Sequence, residues 1–119
     1  MMVVVCGDRL WNDEKTIETR LNLLNPQEHV IVTGGCRGAD TIANTVAKKL
    51  KFMTVVIDAD WKQFGRSAGP IRNRKMLSMN PDLVLAFHND FDNSKGTRDC
   101  VTEAKRRKIP VEIIKSIPF

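Results

Sequence analysis

Five short apolar runs, Met2–Cys6, Val30–Thr33, Phe52–Ile57, Leu83–Phe87 and Val111–Ile114, punctuate the 119 residues and constrain the fold more than any other feature. They are rich in Val, Ile and Leu and do not alternate with polar residues, the pattern of strands covered on both faces. Segments of helical period separate them. Asp13–Leu24 aligns Ile17, Leu21 and Leu24, with Asn12 or Asp13 as N-cap. Asp40–Leu50 aligns Ile42, Ala43, Val46, Ala47 and Leu50. Ile71–Met79 aligns Ile71, Lys75 and Met79 behind Pro70 in a first turn, and Thr97–Lys108 aligns Val101, Ala104 and Lys108. The strict β-α alternation predicts an α/β, doubly wound, Rossmann-like domain, a five-stranded parallel sheet flanked by helices, with 1–119 as one domain.

Composition removes other classes. Hydrophobic residues at 42% and charged residues at 28% are globular values, so disorder and disulfide scaffolds are excluded. No apolar stretch reaches the ~18 residues of a membrane span, and the first residues lack a signal-peptide pattern. No membrane partner is expected. Cys6, Cys36 and Cys100 are scattered, with no metal-ligand spacing, and neither metal nor cofactor is expected. A reducing cytoplasm suits such cysteines. The net charge is +5, most of it after Lys95, which admits phosphate-bearing partners.

In a sheet of this kind, ligands bind beyond the carboxyl ends of the strands. The first such loop, Cys6-Gly7-Asp8-Arg9, offers a sharp turn and a cation, or is a plain connection with exposed charges. The second, Thr33-Gly34-Gly35-Cys36-Arg37-Gly38-Ala39-Asp40, opens a helix; its glycines, Arg37 and free helix amides together predict a phosphate cradle. Asp40 either caps that helix or accepts from a ribose hydroxyl. The third, from Asp58 to Met76, carries Arg66, Gly69, Pro70, Arg72, Asn73, Arg74, Lys75 and Met76, a cation-rich helix start suited to anions. Trp61 and Phe64 within it either stack on a base or cover the core edge, the second being the expected role of each taken singly. The fourth runs from His88 to Gly96-Thr97, a second anion-binding helix start. His88 is an acid–base candidate by residue type, with a polar loop residue as the plainer role.

The strings TGGCRGAD, ADWKQFGRSAGPIRNRKM and PDLVLAFHND…SKGT, in that order, resemble the YspA-like branch of the SLOG superfamily over Val3 to about Ile114. The resemblance implies a Rossmann-like fold and a nucleotide-derived ligand, with self-association into a homo-oligomer, as in relatives. The ligand-binding residues it carries over are Gly7, Asp8, Arg9, Thr33–Asp40 apart from Cys36, Arg66, Gly69, Pro70, Arg72, Asn73, Arg74, Met76, Gly96 and Thr97. The primary expectation is a module that senses or sequesters a nucleotide. Two alternatives come from related branches. LOG phosphoribohydrolases cleave nucleotide N-glycosidic bonds with an arginine, matched here by Arg74, and a glutamate whose place holds Cys100; Asp40, Asp99 and Glu103 are the remaining carboxylate candidates and His88 the imidazole one. The DNA-processing protein DprA has a similar RGID-like segment and binds single-stranded DNA, which admits a nucleic-acid partner here.

Overall fold

A computed structural model describes residues 1–116; the last three residues of the expected 1–119 domain lie outside the described residues. Five parallel strands, β1 (Met2–Gly7), β2 (Val30–Thr33), β3 (Met53–Val56), β4 (Leu83–Phe87) and β5 (Val111–Ile114), lie in the order β3-β2-β1-β4-β5. Val4 aligns with Val32 on one side and Val84 on the other, and all four pairings are parallel. The chain therefore winds outward in both directions from β1. The topological switch point lies between β1 and β4, where a crevice opens at the strand ends.

The five helices are α1 (Glu14–Leu21), α2 (Ala39–Lys49), α3 (Trp61–Phe64), α4 (Ala68–Leu77) and α5 (Gly96–Arg106). Alternate residues of β1 sort into the two layers. Val3 and Val5 face Ile17, Leu21, Ala43 and Val46 of α1 and α2. Val4 and Cys6 face Met76, Leu77, Cys100, Val101 and Ala104 of α4 and α5. Only the central strands are covered on both sides. β3 and β5 are edges, and Met53 (72% exposed) and Ile113 (40%) correct the expectation of five fully buried strands.

The helices depart from the predicted bounds for local reasons. Asp13 is the N-cap of α1, accepting from the Thr16 amide at 3.1 Å and from its hydroxyl. α4 starts three residues before Ile71, and its inward face is Arg72, Asn73, Met76 and Leu77. Ile71 and Lys75 are exposed. Two buried polar residues broke the apolar stripe from which the face was read. The segment after Asp58, expected to be irregular, is wound into α3 and a 3-10 turn at Gly65–Ser67, with the Asp60 carboxylate capping α3 at the Gln63 amide, 3.1 Å. Lys108, placed on the inner face of the last helix by its period, lies beyond α5 and is exposed.

Gly7 lets the three central elements meet. A methyl there would overlap the Phe87 carbonyl and stand 2.6 Å from the Ala39 methyl, both on rigid elements. Gly7→Ala is expected to lower unfolding free energy by about 2 kcal/mol or more in urea titration. Gly96→Ala, which meets no atom within 4 Å, is expected to change it by less than about 0.5 kcal/mol.

Candidate functional site

The crevice at the switch point is a cavity of about 520 Å³. Its walls come from four places: Gly7, Asp8 and Arg9 after β1; Cys36, Arg37 and Asp40 at the start of α2; Arg72, Asn73 and Met76 of α4; and His88, Gly96 and Thr97 between β4 and α5. Loops distant in sequence are thus gathered into one chamber, with Arg37 and Arg72 on it together.

Arg72 organises this chamber. Its guanidinium donates to the Gly34 carbonyl and, through Nε, to Asn73 Oδ1 at 3.0 Å. Asn73 Nδ2 continues to Asp99 Oδ2 at 3.0 Å and to the Gly96 carbonyl at 3.3 Å. The loop after β2 is thereby tied through α4 to the first turn of α5. Cys36 Sγ lies 3.6 Å from both terminal nitrogens of Arg72. Arg72 is 9% exposed, and among the described residues no carboxylate pairs with it within 4.0 Å. A buried cation in that state favours an anion in the adjoining space.

Asp40 differs from both of its expected roles in one respect. The N-cap of α2 is Gly38, at φ +77, where a side chain would overlap the Asp8 and Arg9 carbonyls. Asp40 is the second residue of α2, folds back, and accepts the Cys36 amide on Oδ2 at 3.2 Å. Its other oxygen, Oδ1, is buried with no partner. Burial pushes its carboxyl up to about 6, against the opposing pull of the Cys36 amide, Arg72, the Gly34 amide and Arg9.

The glycine loop is a partly claimed cradle, with the Gly35, Arg37 and Gly38 amides lacking a protein acceptor among the described residues. Its Cys36 amide serves Asp40, its Ala39 amide donates to the Asp8 carbonyl at 3.0 Å, and its Gly34 carbonyl is held by Arg72. Unclaimed amides also stand at the other helix start. Arg98 N donates to Ser94 Oγ and Asp99 N to the Lys95 carbonyl, but the Gly96 and Thr97 amides have no protein acceptor among the described residues.

Other candidates fall away from the chamber. Arg66 and Arg74 are exposed and line no part of it, and neither do Gly69 and Pro70. The α4 arginine that does is Arg72, two positions before the one matched to the hydrolase pattern. Thr33 is buried behind the loop with its hydroxyl unpartnered. Glu103 points outward, and Arg106 and Arg107 at 2.5 and 3.1 Å hold its carboxyl down to about 2. Cys100 is fully buried; it and burial push the neighbouring Cys6 thiol well above its ordinary range, so neither is a poised nucleophile.

His88, kept open on residue type alone, faces the chamber. Its Nδ1 accepts the Asp90 amide at 3.0 Å, which leaves the neutral ring's proton on Nε2, 3.9 Å from Asp8 Oδ2. Trp61 and Phe64, expected against the core edge, are instead 47% and 41% exposed. The Arg9 guanidinium lies over the Trp61 ring, 5.6 Å from its centroid. Among the described residues no cluster of His, Cys, Asp and Glu is placed to hold a metal, and no helix is long and apolar enough to cross a membrane.

Residues 1–64 match the family model described as "YspA, cpYpsA-related SLOG family". The Gene 61 protein of Mycobacterium phage D29 is 36% identical over 117 residues, 92% of this chain and 92% of that protein. Among solved structures, DNA processing protein A (DprA) from Streptococcus pneumoniae superposes with a TM-score of 0.80 at 19% identity, a likeness of fold. That match covers 98% of this chain but 50% of the other, so the chain spans half its length.

Asp40 carries a measurable signature. Below about pH 4 its carboxyl is protonated in both folded and unfolded chains. As pH rises, the unfolded chain ionises first, from 3.8, and the folded one only at about 6, so stability is lost across that window. Asp40→Asn keeps the acceptor and removes the charge. It is expected to exceed the parent by roughly 2–3 kcal/mol at pH 8 in urea unfolding, with the gap closing by pH 4.

Proposed function

From the premise that this chain belongs to the YspA, cpYpsA-related SLOG family, we propose that it binds a nucleotide or nucleotide-derived small molecule at the switch-point chamber and acts as a sensor or sequestering module. The supporting observation is the pairing of two residues on the lining of one cavity: buried Arg72, hydrogen-bonded but with no carboxylate within 4.0 Å among the described residues, and Asp40, whose Oδ1 has no hydrogen-bond partner. A phosphorylated ribose answers both, since its phosphate is an anion and its hydroxyls are donors. The phosphate lies toward the Gly96 and Thr97 amides, where the positive end of α5 adds to the cations. Arg37, exposed on the rim, closes over it.

Binding without turnover is the reading the side chains favour. The hydrolase pattern needs a carboxylate one turn into the last helix to steady oxocarbenium charge. Here that position is Cys100, sealed in the core, and Glu103 is held outside by two arginines. Release of free base from nucleoside monophosphates would overturn this part of the reading.

A second reading, single-stranded nucleic acid, draws on exposed Trp61 and Phe64 beside Arg9 and on the likeness of fold to a DNA processing protein. Stacked strands held through several phosphates lose affinity steeply with salt. A mononucleotide in a closed chamber does so far less.

Mass spectrometry of small molecules released on denaturing the purified protein is expected to find a nucleotide. Calorimetry with nucleoside monophosphates is expected to show Arg37→Ala binding about tenfold more weakly. The melting temperature of the free protein should stay unchanged, because Arg37 is exposed and makes no ion pair among the described residues.

A further inference from the structure

A second concavity, about 420 Å³, adjoins the first across a common rim of Arg9, Cys36 and Arg37. Its remaining lining includes Gly35, Asp58 and Trp61. Three features of it are unexplained by the fold. Trp61 presents its ring to solvent on a helix that buries nothing. Asp58 is exposed and has no hydrogen-bond or ion-pair partner among the described residues. Gly35 lies at φ +72, and any side chain there would overlap the Asp58 carboxylate, so the backbone is shaped around that group.

We propose that this second concavity is the base-binding half of the site and that it selects guanine. The proposal rests on the nucleotide reading above and deepens it. A planar base laid on Trp61 takes the place of the Arg9 guanidinium, which is on a flexible, exposed side chain and is released to the shared rim. On that rim, Arg9 and Arg37 meet the phosphate as it crosses toward Arg72 and the α5 amides. Asp58 then decides which base fits. An ionised carboxylate only accepts hydrogen bonds. The guanine edge offers two adjacent donors, N1–H and the N2 amino group. Adenine sets an N1 lone pair against the carboxylate and leaves one amino donor, so it forfeits a bond and gains a repulsion.

The test uses the full chain with GMP, AMP and ribose 5-phosphate as probes. Tryptophan fluorescence follows binding, because Trp61 is open to solvent while Trp11 is buried against Phe87. GMP is expected to quench the emission, to bind at least about tenfold more tightly than AMP, and to gain a similar factor over ribose 5-phosphate. Trp61→Phe should abolish the quench but keep most of the affinity, and Trp61→Ala should lose about tenfold for GMP with ribose 5-phosphate unaffected. Asp58→Asn, which both donates and accepts, should bring GMP and AMP to within about threefold. Equal affinity for GMP and AMP in the parent, or unchanged GMP affinity in Trp61→Ala, overturns the guanine seat. If ribose 5-phosphate binds as tightly as GMP, the base seat falls and the phosphate chamber stands; if no probe binds, both fall.

Discussion

A single guanidinium holds together the loops at the carboxyl end of this domain's sheet. A parallel sheet ends in a row of loops, and nothing in the sheet's own hydrogen bonding fixes how those loops sit relative to each other. Arg72 does so from α4. It grips the carbonyl of Gly34 after β2, and through Asn73 it reaches the first turn of α5. The space Gly34 leaves is filled by that guanidinium, so the loop's close approach and the arginine's position are one feature. Because the bracket spends hydrogen bonds on neutral partners, its charge has no carboxylate within 4.0 Å among the described residues. The chamber's electrostatic character is thus a by-product of the way its walls are joined.

Asp40 supplies the opposite half of that character. Its carboxylate takes the Cys36 amide on one oxygen, and its other oxygen is buried without a hydrogen-bond partner. One wall carries an acceptor lacking donors and the other a cation lacking an anion. They make no ion pair within 4.0 Å, but Arg72 still pulls on the Asp40 carboxyl through Cys36, which both of them touch. The shape of the fold keeps them apart, since Gly7 and Gly38 pack the α2 start directly on the β1 loop and fix Asp40 on that side.

The architecture was legible in the sequence because parallel strands buried between helix layers leave dense runs of branched residues, and those runs survive any choice of loop. That ligand loops would gather beyond the strand carboxyl ends followed from the parallel winding; the strand order β3-β2-β1-β4-β5 did not. The line of α4 was misread for a physical reason: its inward face is half polar, and Arg72 and Asn73 look like solvent-facing residues until their partners on other elements are seen. Arg72 was nonetheless among the expected site residues, while Arg74 entered through the motif match and sits on the exposed side of α4. Glycine spacing located the loop after β2 but did not reveal that a residue four positions beyond Cys36 would occupy its amides. The exposure of Trp61 was invisible too, since a lone tryptophan in a loop is far more often a lid on apolar neighbours.

The packing around Gly7 and Gly38 divides the site into two kinds of material. Its floor is main chain pressed against main chain, where a single added carbon is ruinous. Its rim is made of long, exposed side chains, Arg9, Arg37, Asp58 and Trp61, whose replacement leaves the interior untouched. Descendants of such a chain are free to redraft the rim and so alter what it could touch, while inheriting the floor unaltered.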